Sequence, residues 1–111
     1  MAAGEMSEWI DVAPDVDFLP GSFRRLDIAG VSGAVFNVDG HYYAIEDLCT
    51  HEAETLSGGE LVGLCITCPR HAAVFSLLTG EALQPPAYLP IAIFPTRVHD
   101  GMVQVAARSL A

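Results

Sequence analysis

Apolar and polar positions along the chain alternate over short stretches and do not recur at a helical period. Residues 35–38 (Val-Phe-Asn-Val) and 41–45 (His-Tyr-Tyr-Ala-Ile) are two such stretches, separated by Asp39-Gly40. Asp-Gly accepts the positive φ angles of a tight primed turn, so the pair is predicted to form a β-hairpin. The pattern repeats near the C-terminus, where residues 93–98 and 102–105 flank Asp100-Gly101. Residues 23–28 and 7–12 are weaker strand candidates. Residues 91–94 form a strand-sized apolar run between Pro90 and Pro95. No stretch sustains the period of a long helix, which predicts a mostly antiparallel β frame.

The stretch 47–87 has a different character. It holds all three cysteines, two of the four histidines, four glycines and three of the seven prolines. It reads as a small loop-rich subdomain set into the β frame, and loops on a rigid scaffold commonly carry chemistry. A chain of 111 residues suits one domain spanning 1–111, and no repeat or linker divides it.

Composition narrows the function classes. The chain is 51% hydrophobic, enough for a real core, which separates it from disordered chains. Fourteen acids against five bases give a net charge of −9. A nucleic-acid binder neutralises phosphates with Lys and Arg, so this balance excludes that class. The acidic charge either steers the protein toward basic partners or only keeps it in solution. An odd cysteine count argues against a disulfide framework. The N-terminus lacks a basic and then apolar leader, and no apolar run approaches the roughly 20 residues that span a bilayer. The expected location is the cytoplasm, with no membrane association.

Two short motifs carry the candidate chemistry, Cys49-Thr50-His51 and Cys68-Pro69-Arg70-His71, with sixteen residues between His51 and Cys68. Each offers one thiolate and one imidazole. Two thiolates and two imidazoles suit zinc or an iron–sulfur cluster. Structural zinc sites usually begin with two cysteines two to four residues apart. A Cys-x-His with a Cys-x-x-His instead suits a cluster to which each loop gives one ligand per iron. Cys65 keeps a second arrangement open. Cys65, Cys68, His71 and Cys49 together would make a three-cysteine, one-histidine zinc site that leaves His51 free.

The two motifs resemble the Rieske signature, and Phe75, Thr79-Gly80 and Pro85-Pro86-Ala87 sit where Rieske ferredoxins carry an aromatic residue, a turn and a proline loop. The whole length resembles the ferredoxin component of bacterial aromatic-ring-hydroxylating dioxygenase systems. That resemblance implies an antiparallel β sandwich or barrel with a cluster-binding subdomain. It implies one Rieske [2Fe–2S] cluster on Cys49, His51, Cys68 and His71. It further implies a one-electron carrier that is not itself an enzyme and serves aromatic hydrocarbon catabolism. Its donor would be an NAD(P)H-dependent flavoprotein ferredoxin reductase, and its acceptor a terminal oxygenase.

This chain departs from the family at two loop positions where glycine is common, Ala53 and Ala72. High-potential Rieske proteins also have loop cysteines, a serine and a tyrosine where this chain has Glu54, Arg70, Ala73 and Phe75. Fewer hydrogen bonds to sulfur leave the reduced site less stabilised, which predicts a potential at the low end of the Rieske range. Two competing functions are a small Rieske-like subunit of an NAD(P)H nitrite reductase and a zinc-stabilised interaction module. Among the remaining residues, Cys65 reads as a strand thiol beside Leu64 and Ile66. His41 and His99 read as surface residues, and Trp9, Tyr42 and Tyr43 as half-buried strand aromatics. Glu52 and Glu54 read as a solvated face, and Arg70 as an ion pair or a partner contact.

Overall fold

The computed structural model describes residues 9–48, 55–68, 73–85 and 89–108. Its strands are β1 (Trp9–Pro14), β2 (Phe23–Ile28), β3 (Val31–Val38), β4 (His41–Glu46), β5 (Glu60–Val62) and β6 (Cys65–Thr67). The rest are β7 (Val74–Ser76), β8 (Ala82–Gln84), β9 (Ile93–Phe94), β10 (Thr96–His99) and β11 (Met102–Ala106). They form three antiparallel sheets, ordered β1-β11-β10, β2-β3-β4-β9 and β5-β6-β7-β8.

The middle sheet is covered on both faces. Strand alternation sends Ala34, Phe36 and Ile45 into one core, with Leu56, Ile66, Phe75 and Leu77 of the small sheet and its loops. It sends Val35 and Ala44 into a second core, with Ala13, Val103 and Val105 of the terminal strands and Phe18 of the segment between β1 and β2. β3 is therefore buried almost continuously, from Gly33 to Asn37. A side chain such as Phe75 or Leu56, wholly removed from water, contributes roughly 1.5–3 kcal/mol.

Both Asp-Gly turns have positive φ at their two central residues, 54° and 87° at Asp39 and Gly40 and 50° and 76° at Asp100 and Gly101. A third turn of the same geometry, at Ala29-Gly30, joins β2 to β3 without the usual Asn or Asp. The expected strand at 93–98 is split at Pro95. Proline has no N–H to continue a ladder, and the chain changes sheets there. Ile93–Phe94 pair with β4, and Thr96–His99 pair with β11. The expected strand at 7–12 is described from Trp9 and runs on to Pro14; residues 7 and 8 lie outside the described part. The cysteine-bearing stretch is more regular than its loop-like composition suggests, since it carries the whole β5-β6-β7-β8 sheet.

Candidate metal centre

Of the four residues expected to bind the cluster, Cys68 is described; Cys49, His51 and His71 lie outside the described residues. So do Ala53, Glu54, Arg70 and Ala72. What the structure fixes are the roots of the loops that carry them.

The roots of the second loop are the paired strands β6 and β7. β6 and β7 pair in register Cys65↔Ser76, Ile66↔Phe75 and Thr67↔Val74. One step further, the Cys68 N–H donates to the Ala73 carbonyl at 2.7 Å. Cys68 and Ala73 are both buried in the first core. Cys68 and Ala73 thus form the closed end of the described strand pair.

The first loop leaves β4 at Asp47 and returns at Leu56. The buried Asp47 carboxylate accepts the backbone N–H groups of Leu56 at 2.7 Å and Ser57 at 2.8 Å, and the Ser57 hydroxyl at 2.7 Å. Leu56 then enters the same core as Cys68. Beyond it, Gly59 lies against β6 so closely that a Cβ would collide with the Thr67 carbonyl. Glycine is required there by the close approach, and it seats the exit of the first loop beside the root of the second. A third segment returns through Ile91, whose N–H donates to the Gly80 carbonyl at 2.9 Å. The Ala92 N–H donates to the Glu46 side chain at 3.1 Å. Leu56, Cys68, Ala73 and Ile91 share one core, so all three loop roots converge on it.

This setting fits a thiolate-ligated cluster. Cys68 offers a soft donor shielded from water at the edge of an apolar core, and dry surroundings are one of the levers that set cluster potential. The rival zinc arrangement fits less well. Strand alternation puts Cys65 on the face of β6 opposite Ile66 and Cys68, half-buried rather than in the core.

The other expectations are met where they are described. His41 and His99 are exposed, and Trp9, Tyr42 and Tyr43 are half-buried. The Arg97 guanidinium covers the Trp9 ring at 4.1 Å. A depression lined by Tyr42, Tyr43, Leu77, Leu78, Ile93 and Thr96 has no histidine, cysteine or carboxylate in its wall. Sequence reading missed Asp47 and Ser57 as parts of the site. The one signal was position, an acid two residues ahead of Cys49 at the end of an apolar strand.

The Rieske [2Fe-2S] domain matches residues 8–95. The chain belongs to the Rieske [2Fe–2S] family. Ferredoxin CarAc of Metapseudomonas resinovorans is 38% identical over 99 residues, covering 88% of this chain and 92% of the relative. The 3-phenylpropionate/cinnamic acid dioxygenase ferredoxin subunit of Shigella flexneri is 41% identical over 93 residues, 83% of this chain and 87% of the relative. Among solved structures, the ferredoxin of carbazole 1,9a-dioxygenase from Nocardioides aromaticivorans has a TM-score of 0.86 at 29% identity, covering 92% of this chain and all of that one. A Rieske ferredoxin fold thus accounts for the β sandwich and for the sheet that carries the loop roots. Among the described residues no helix is long and apolar enough to cross a membrane.

Proposed function

We propose that this Rieske protein is the ferredoxin component of an aromatic-ring-hydroxylating dioxygenase system. It is a one-electron carrier and not a catalyst. We read the chain as a single domain, 1–111, with its cluster-binding part at about 47–87. Cys49, His51, Cys68 and His71 hold the cluster, which supplies a reversible one-electron couple when bound. The electron donor is an NAD(P)H-dependent flavoprotein reductase, and the acceptor is the terminal oxygenase. The place of action is the cytoplasm.

The observation that carries this reading is the convergence of the roots of both ligand loops on one core, with Cys68 buried at its edge. Each root has a definite task. The β6–β7 pair fixes the Cys68 backbone, and Asp47 fixes the ends of the loop with Cys49 and His51. The apolar core beneath keeps water from the thiolate of Cys68. Two thiolates with two neutral imidazoles give a less negative ligand set than four thiolates, which makes an added electron easier to accept. A solved complex of oxygenase with ferredoxin from carbazole 1,9a-dioxygenase includes a ferredoxin 36% identical to this chain, with a TM-score of 0.86 over 93% of it. That pairing supports a terminal oxygenase as the acceptor here.

Low-temperature EPR of the purified protein before and after dithionite tests the reading. The expected result is a silent oxidised sample and a rhombic signal on reduction, with an average g below that of all-cysteine ferredoxins. Zinc without iron, and silence after reduction, would overturn it.

A further inference from the structure

Asp47 is a buried carboxylate, 2% exposed, that sits outside the ligand set. A buried charge needs partners, and all of those seen here lie on or beside one loop. One oxygen, Oδ1, accepts both the Leu56 and Ser57 N–H groups. The other, Oδ2, accepts the Ser57 hydroxyl and lies 3.7 Å from the Arg25 Nε. Arg25 Nε in turn donates to the Ser57 Oγ at 2.6 Å. The Asp47 N–H donates to the Ser32 carbonyl at 2.8 Å. The Asp47 backbone is thus anchored to β3, and its carboxylate is linked to β2 and bridges the two ends of the loop between residues 47 and 56.

We propose that Asp47 is a positioning residue for the first ligand loop, clamping its ends through Leu56, Ser57 and Arg25 so that Cys49 and His51 are held ready for the cluster. This role rests on the ligand set proposed above. The physical case is one of entropy and partners. A loop whose ends are free must lose its conformational freedom when its ligands bind. A loop closed by three short hydrogen bonds to one side chain has lost part of it on folding. A second buried polar side chain supplies the contrast. Asn37, also 2% exposed, ties the Phe18 carbonyl and the Gly40 N–H at the other end of the β3–β4 hairpin. It clamps a turn without any ligand, so loss of either residue should weaken the fold, whereas only Asp47 should govern the cluster.

The test uses the purified holoprotein. Loss of visible circular dichroism in excess EDTA reports cluster release, EPR after dithionite reports cluster geometry, and far-UV circular dichroism gives Tm. Asp47→Ala should hasten cluster release by at least about tenfold, the scale of one lost charge-assisted hydrogen bond, and shift the g-values. Asp47→Asn keeps an oxygen for the two backbone N–H groups and should fall between wild type and Asp47→Ala. Asn37→Ala should lower Tm while releasing the cluster at the wild-type rate. If Asp47→Ala does not fold, Asp47→Asn and Ser57→Ala are expected to show faster release with altered g-values. Release at the wild-type rate in the Asp47 variants would overturn the role. So would equally fast release in Asn37→Ala, since general instability would then explain both. Wild-type protein without iron and sulfide would overturn the ligand set, and this role with it.

Discussion

Phe75 and Ala73 are fully buried in the core that takes Cys68, and neither side chain can donate a hydrogen bond. Donors to cluster sulfur stabilise the reduced, more negative state and raise the potential. Phe75→Tyr and Ala73→Ser each supply one hydroxyl beside the second ligand loop. Each should raise the midpoint by about 40 mV, the one-electron equivalent of a net hydrogen bond of roughly 1 kcal/mol. A redox titration followed by circular dichroism measures this, and an unchanged midpoint in both variants would count against hydroxyl control of the potential. Cys65 gives the converse test. It lies on the opposite face of β6 from Cys68, so Cys65→Ser should keep full iron content and an unchanged EPR signal. Loss of iron in that variant would bring back the three-cysteine site.

At the level of elements, legibility followed the local chemistry of turns. Asp39-Gly40 and Asp100-Gly101 were readable because few residue pairs tolerate positive φ at both positions. Ala29-Gly30 makes the same turn but gives no such sign, since alanine is an ordinary strand or helix residue. The β5–β8 sheet was hidden for a different reason: its strands have three residues each, too few for an alternation to show. The sheet change at Pro95 is a tertiary choice, set by which ladder each half can join. Of the candidate site, the two cysteine–histidine motifs stand out by their spacing, whereas the Asp47 clamp depends on Leu56 and Ser57 folding back, which no local pattern announces. The Ala29 turn carries a prediction of its own. A left-handed alanine costs roughly 1 kcal/mol, and Asn bears that conformation more easily. Ala29→Asn should therefore stabilise the fold and raise Tm by a few degrees, about 4–8 °C per kcal/mol for a domain near this size. A Tm at or below wild type by differential scanning calorimetry would show that the turn is not strained.

For the whole molecule the governing quantity is charge. Fourteen acids against five bases leave −9 on 111 residues, and among the described residues three of the bases are already engaged, Arg24 with the Asp17 carbonyl and the Phe18 ring, Arg25 with Ser57 and Asp47, and Arg97 with Gln104 and Trp9. A carrier must find two partners in turn and leave each quickly, which favours small polar interfaces over large apolar ones. Long-range attraction between an acidic carrier and basic docking surfaces raises the encounter rate without strengthening the final contact. Salt removes that attraction, since the Debye length shrinks from about 30 Å at 0.01 M to about 3 Å at 1 M. The second-order rate of reduction by the proposed flavoprotein reductase, followed by stopped flow, should therefore fall by about tenfold or more across that range. The intramolecular electron-transfer rate at saturating protein should change little, because it is measured after docking. A second-order rate independent of salt would mean that the charge serves solubility alone and that shape selects the partner.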